Sequence, residues 1–226
     1  MMPWLHLEPR LFFMEQTITA LKVQRRNPNR INVYLDGEFA FGLSRLVVAW
    51  LSVGQKLSDE KRASLLHQDT VEVAYLRALN LLSYRARSQA EIEKRLIDKG
   101  FTSEDVEVVL ERLVQYGFVN DQRFAADWVE NRSTFRPRGR RLLTMELRQK
   151  GIDEEQIDAA LQTVSEESDL AYQAAVKYMR KISDADWLKF RQKLGGFLGR
   201  RGFSYQVIAE ITRKVWEEQQ STITES

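Results

Sequence analysis

One nine-residue pattern occurs three times along the chain, at equal distances. Each copy ends in a cation, a glycine and an apolar residue, and the copies are Glu93–Phe101, Thr144–Ile152 and Gly195–Phe203. The glycines at positions 100, 151 and 202 are 51 residues apart in both intervals. A period of this length is typical of proteins that stack copies of one structural unit. The repeat therefore limits the possible folds more than any other feature of the sequence.

Each column of the pattern has a role in a tight turn between two helices. A cation stabilises the negative end of a helix, and the next glycine can adopt the left-handed conformation that ends it. We assign these structural roles to the cations Lys99, Lys150 and Arg201 and to the turn glycines Gly100, Gly151 and Gly202. The residues after the apolar position are the N-cap types Thr102, Asp153 and Ser204. The pattern predicts helix, glycine turn, helix.

A leading helix precedes each of these pairs, over about Val71–Ser83, Asp121–Arg132 and Leu170–Lys181. The predicted fold is therefore mainly α, with three tandem three-helix repeats of 51-residue period in an elongated curved array. Such arrays bury their cores between neighbouring units and leave an extended face for partners.

A small antiparallel β module is predicted before the repeats. Residues 18–24 alternate in polarity, and two further alternating segments meet across Asp36–Gly37, a strong two-residue hairpin signal. We expect three strands, with the Pro- and Asn-containing segment Arg25–Arg30 as the turn between the first two. The domain boundaries predicted are a leader at 1–17, the β module at 18–58, and repeats at 59–118, 119–167 and 168–220.

No arrangement of residues in the sequence indicates catalysis or a cofactor. The chain has no cysteine, which fits a reducing, cytoplasmic setting, and no apolar stretch approaches the length of about 20 residues that a membrane span needs. Its two histidines, His6 and His67, have no partner that would suggest a metal or catalytic site. The run Gly195–Gly199 lacks the Lys-Ser/Thr of a phosphate-binding loop. We predict a protein that is not an enzyme and binds no cofactor or metal.

The distribution of cations is more informative than the formal net charge of +2. Between Arg132 and Lys150 there are seven basic residues and one acidic residue, Glu146. Because so few acidic partners are present, helix pairing cannot account for these arginines, and their forked groups suit phosphates or carboxylates. The candidate contact residues are Arg132, Arg136, Arg138, Arg140, Arg141, Arg148, Lys189, Arg191, Lys193 and Arg200.

Four stretches in this order and spacing resemble the RecX family of recombinase regulators, over about residues 70–215. They are Ser88–Phe101, Tyr116–Ala125, Pro137–Gly139 with Leu147–Ile152, and Arg201–Ser204. The resemblance implies a protein that binds the RecA recombinase filament on single-stranded DNA, and we expect the protein to be a monomer. It also implies suppression of strand exchange, ATP turnover and coprotease activity, and so a role in DNA recombination, repair and the SOS response.

Three alternatives stay open on the residues alone. The first is a helical DNA-binding regulator that does not act through RecA, with duplex DNA as a further ligand. The second is a sequence-specific regulator that uses one helix pair as a helix-turn-helix. The tandem repeat argues against it, because a single reader helix does not need three equivalent copies. The third is a protein adaptor whose charges only steer encounter.

Overall fold

The computed structural model describes residues 15–163, 165–182 and 186–224. Most of the predicted leader, including His6, lies outside these residues. The strands are β1 (Gln16–Gln24), β2 (Asn27–Leu35), β3 (Glu38–Ser44) and β4 (Lys56–Leu57). The helices found in this part of the chain are α1 (Arg45–Val48), α2 (Asp59–Tyr84), α3 (Gln89–Ile97), α4 (Ser103–Gln115), α5 (Asp121–Phe135), α6 (Arg140–Gln149), α7 (Glu154–Gln162), α8 (Glu167–Met179), α9 (Trp187–Arg200) and α10 (Tyr205–Thr224). None of these helices is long and apolar enough to cross a membrane.

The β module is an antiparallel sheet in the order β3-β2-β1-β4. The predicted hairpin is confirmed, because Asp36 and Gly37 both adopt positive φ, at 49° and 93°. The expectation of three strands is wrong by one, since the two-residue β4 pairs with the start of β1. Two residues carry too little alternation to be recognised as a strand from sequence.

The predicted turn at Arg25–Arg30 is wrong over most of its length. Only Arg25 and Arg26 form the turn, and Asn27 pairs with Gln24 at the start of β2. The strand tolerates Pro28 because the register of β1 and β2 shifts there, so a missing backbone donor breaks no regular ladder.

The core of the β module consists of alternating apolar residues closed by α2. Ile18, Val33 and Leu43 are buried on one face of the sheet, and Leu65 of α2 is buried in the same cluster. Asp69 of α2 pairs with Arg30 at 2.8 Å and accepts a hydrogen bond from the Ser44 N–H at 2.5 Å. These contacts explain why α2 starts at Asp59 rather than near Val71: its first half packs on the sheet.

The three glycine turns form as predicted. Gly100, Gly151 and Gly202 have φ of 89°, 74° and 81°. The next helix is capped in each copy, since Thr102, Asp153 and Ser204 accept from the backbone N–H groups of Asp105, Gln156 and Val207 at 3.2, 2.8 and 3.4 Å. Helices α2 to α10 thus form three three-helix repeats, which confirms the predicted mainly α fold with an N-terminal antiparallel module.

The chain divides into two compact units, and the functional candidates lie in the second. The first unit comprises the residues up to Leu81 together with Leu96–Glu111, and the second comprises Leu82–Arg95 with the residues from Arg112 onward. In the second unit, Val129, Leu143 and Ile157 belong to the buried core of α5–α7. Phe190 and Leu198 belong to that of α8–α10.

Candidate functional site

The link between α5 and α6 packs directly against the turn between α9 and α10. The Gly139 N–H donates to the carbonyl oxygen of Arg201 at 2.8 Å, and Arg201 Nη1 donates to the carbonyl oxygen of Pro137 at 2.9 Å. A side chain at Gly139 would overlap the backbone of Gly202, so glycine is required for this approach. We call this contact the second junction.

Four arginines border the second junction. They line a cleft of about 280 Å³ with Leu142, and we call them the arginine cluster: Arg136, Arg138, Arg200 and Arg201. Burial, followed by repulsion from the neighbouring Arg136, lowers the pKa of Arg201. Arginine nevertheless stays charged. The cleft therefore concentrates positive charge and presents donors suited to an oxyanion.

One carboxylate, that of Glu146, serves the arginines on the α5 side. Its Oε2 accepts from Arg132 Nε at 3.1 Å and from Trp128 Nε1 at 2.9 Å, and its Oε1 pairs with Arg138. The expectation that these arginines lack acidic partners is therefore wrong for Arg132 and Arg138. The Arg132 guanidinium also lies 4.2 Å from the centre of the Trp128 ring. Glu146 thus orients two arginines and neutralises one charge.

The same geometry occurs one repeat earlier, where the α2–α3 link meets the turn between α6 and α7. The Ser88 hydroxyl donates to the carbonyl oxygen of Lys150 at 2.6 Å, and a Cβ on Gly151 would overlap Ala90. We call this contact the first junction. Here Glu91 accepts from Arg85 at 2.9 Å and from Lys150 Nζ at 2.7 Å.

The two junctions differ in charge at one equivalent position. A shift of 51 residues carries Arg85 to Arg136, Arg87 to Arg138, Ser88 to Gly139 and Lys150 to Arg201. The same shift carries Glu91 to Leu142. The cations of the first junction thus reappear at the second, but the carboxylate that binds two of them is replaced by an apolar side chain.

Arg140 and Arg141 lie exposed in the first turn of α6. Cations are unfavourable at the positive end of a helix, and this first turn holds no acidic residue. Gly139 also provides no side-chain cap. No described carboxylate forms an ion pair with either arginine, so both are available to an external anion.

Two further candidates are held by acidic neighbours at the surface. Arg148 forms a two-point contact with Glu154 at 2.5 and 2.8 Å, which raises the pKa of Arg148 and lowers that of Glu154. Lys189 pairs with Asp186 at 3.1 Å, and the hydrogen bond from the Lys189 backbone is the main reason that the pKa of Asp186 is lowered.

Two other candidates on α9 do not line the cleft of the arginine cluster. Arg191 lines a separate cleft of about 650 Å³ that also includes Trp187 and Tyr205. Lys193 is exposed on the same helix. The structure therefore places the predicted residues Arg136, Arg138 and Arg200 along one cleft and joins Arg132 to Arg138 through Glu146.

Sequence reasoning assigned Arg201 only to a helix end, but it also belongs to the arginine cluster. The signal that could have found it is the 51-residue equivalence between Arg85–Lys150 and Arg136–Arg201. Within the ranges that the structure covers, no group of three or more His, Asp or Glu side chains is placed to hold a metal ion. His67 instead contacts Asp105 at 2.9 Å.

These features define a helical-repeat protein in which a glycine-dependent contact between repeats carries a cluster of arginines. The chain belongs to the RecX family. Its regions match the "Regulatory protein RecX N-terminal domain" over 16–58, and the first, second and third RecX three-helix domains over 74–113, 120–161 and 165–212. The family is one of regulatory proteins.

Relatives and solved structures agree with this assignment. The Regulatory protein RecX of Bacillus subtilis (strain 168) is 33% identical over 216 residues, covering 92% of this chain and 81% of that protein. That of Clostridium acetobutylicum is 28% identical, covering 90% and 98%. A "Crystal structure of regulatory protein RecX" aligns with a TM-score of 0.72 and 30% identity, over 88% of this chain and 99% of that one. A RecX structure from Lactobacillus salivarius, at 24% identity and TM-score 0.58, covers 65% and 97% and shows the same fold.

Proposed function

We propose that the chain binds the RecA filament on single-stranded DNA and mainly inhibits its recombinase, ATPase and coprotease activities. The regulator acts without catalysis of its own, as a cytoplasmic monomer. Membership of the RecX family supports the regulatory role. The excess of guanidinium groups at the second junction supports a polyanionic partner.

The observation that carries the proposal is the imbalance of charge around α6. The arginine cluster and Arg132 together supply five cations, and the one carboxylate that pairs with any of them in the described residues is Glu146, which binds Arg132 and Arg138. Arg140 and Arg141 extend this basic surface along the start of α6. Such a surface suits a partner dense in negative charge, because local clustering attracts polyanions even on a nearly neutral chain.

A direct binding experiment tests the proposal. The fluorescently labelled full chain is titrated with RecA filaments on single-stranded DNA, with the DNA alone and with RecA alone. The proposal predicts tighter binding to the filament than to either component at physiological salt. Equal affinity for the filament and naked DNA would favour a regulator that does not act through RecA. Discrimination of one duplex sequence would favour a helix-turn-helix reader, and absence of any DNA binding at low salt would favour an adaptor.

A further inference from the structure

The two junctions of the chain carry equivalent cations but different counterions. At the first junction the carboxylate of Glu91 lies between Arg85 and Lys150 and binds both. At the second, Leu142 lines the cleft between the equivalent residues, Arg136 and Arg201. The fold therefore retains a binding site for an anion whose internal ligand is missing.

We infer that the second junction is a receptor for one phosphodiester group of a nucleic-acid backbone, held where Glu91 would supply a carboxylate. The inference rests on the proposed function, since it assigns a ligand to one part of the proposed contact surface. It assigns the second junction to contact with nucleic acid rather than with protein.

Electrostatic repulsion among the arginines of the second junction favours the binding of an anion there. Burial lowers the pKa of Arg138, and the neighbouring guanidinium groups of Arg132, Arg201 and Arg136 lower it further. Each of these groups stays charged, and Glu146, which pairs with Arg132 and Arg138, neutralises only one of them. A bound anion reduces the repulsion, as Glu91 does at the first junction.

The number and direction of the donors favour phosphate over a protein carboxylate. One arginine and one lysine engage Glu91, whereas four arginines from two different repeats line the cleft at the second junction. Of these four, Arg138 also pairs with Glu146, and Arg201 also donates to the carbonyl oxygen of Pro137. A planar carboxylate accepts in one plane, but a tetrahedral phosphate presents oxygens in several directions. The cleft is open, with Arg136 and Arg200 exposed, so a continuous backbone can pass through it.

An exchange of counterions between the junctions tests the inference. Leu142→Glu supplies the missing carboxylate, and Glu91→Gln removes the existing one at nearly constant shape. The probe is a fluorescent oligothymidylate of about 20 nucleotides, which measures binding to the chain without RecA. Leu142→Glu should weaken binding about tenfold and lower the salt slope by roughly 0.7, the value for one single-strand phosphate contact. Glu91→Gln should strengthen binding and raise the slope by a similar amount.

Matched variants separate charge from packing. Leu142→Gln has the size and polarity of the glutamate without its charge, and it should keep most of the affinity. If Leu142→Glu does not fold, Arg136→Ala with Arg200→Ala removes the two exposed members of the cluster and should give the same loss. Equal loss in the Gln and Glu variants, or an unchanged salt slope in the arginine variant, would overturn the inference.

Three further outcomes locate the ligand and separate this inference from the proposed function. Displacement of the oligonucleotide by millimolar inorganic phosphate at constant ionic strength would reassign the site to a small phosphate ligand. Normal behaviour of all the variants toward DNA, with intact filament binding by the wild type, would reject the phosphate receptor alone. The predicted DNA behaviour, with no filament binding by the wild type, would reject the proposed function and leave the receptor in place.

Discussion

The Ser88 hydroxyl donates a hydrogen bond of 2.6 Å to the carbonyl oxygen of Lys150, 62 positions further along the chain. The Gly139 N–H makes the corresponding contact with Arg201 one repeat later. The 51-residue period therefore specifies the contacts between these repeats as well as the helices within each repeat. The charged residues at one junction can therefore differ from those at the other while the contact between the repeats is kept.

Gly139→Ala should destabilise the protein by about 1–3 kcal/mol, the usual cost of forcing an extra carbon into a packed site. The cause is steric, because Gly139 has an ordinary φ of −71° but its Cβ would overlap the backbone of Gly202. The change in the free energy of unfolding is measured by urea unfolding, with circular dichroism as the signal. Gly195→Ala is the control: its Cβ would lie at an ordinary 3.7 Å from Ile208, and alanine should stabilise the interior of α9. Equal effects of both variants would contradict this account.

Glu146→Gln should destabilise the second repeat by about 1–3 kcal/mol, since Arg132 and Arg138 would lose a shared partner in a largely buried setting. Thermal unfolding and the fluorescence of Trp128, whose indole N–H donates to this carboxylate, report the change. Glu154→Gln breaks an exposed pair with Arg148 and should have no measurable effect. A neutral result for Glu146→Gln would show that the arginines do not depend on this carboxylate.

Acidification should destabilise the protein, because Glu91 then loses its stabilising negative charge. Burial alone would raise the pKa of Glu91, but hydrogen bonds and ion pairs with Arg85 and Lys150 outweigh it and lower the pKa to about 2. An unfolded glutamate titrates at about 4.3. Because the folded pKa is the lower one, the charge of Glu91 stabilises the protein above about pH 4.3, and this contribution is lost as the pH falls toward 2.

Glu91→Gln should therefore reduce stability at neutral pH and flatten its decline between about pH 5 and 2. Denaturant midpoints measured across this range test the prediction. Glu93→Gln, an exposed change on the same helix, controls for the loss of one negative charge. A decline as steep in Glu91→Gln as in the wild type would contradict the assigned role of the carboxylate.

Arg140→Ala with Arg141→Ala should lower the salt dependence of single-stranded DNA binding. Each lost phosphate contact reduces the slope by roughly 0.7. Lys56→Ala with Lys99→Ala removes the same charge from exposed positions outside the basic surface and should leave the slope unchanged. Equal changes in the two double variants would indicate a general charge effect rather than contact through the start of α6.

The parts of the fold that could be predicted depend on local chemistry. The turns at Gly100, Gly151 and Gly202 require a left-handed residue followed by an N-cap, and both signals lie within a few residues of each other. The leading helix of the first repeat was predicted to begin near Val71, whereas α2 begins at Asp59, because the burial of its first half depends on the β sheet rather than on a periodic apolar stripe. Asp69, for example, is buried through its contacts with Arg30 and Ser44.

The candidate site was predicted in composition but not in arrangement. The scarcity of acidic residues near Arg136 was visible in the sequence. The pairing of Glu146 with Arg132 and Arg138, and the approach of Arg201, depend on how helices from two repeats pack. The sequence could have shown one decisive feature, since a 51-residue shift aligns Glu91 with Leu142.

The most direct test of the proposed function is ATP hydrolysis by RecA on single-stranded DNA while the full chain is titrated in at substoichiometric amounts. We expect hydrolysis to fall well before one copy is present per recombinase, because the proposed function has one bound regulator block several filament subunits. Arg136→Ala with Arg200→Ala should shift this inhibition to higher concentrations. Unchanged hydrolysis at equimolar protein, together with tight binding to naked DNA, would contradict filament regulation and identify an independent DNA-binding protein.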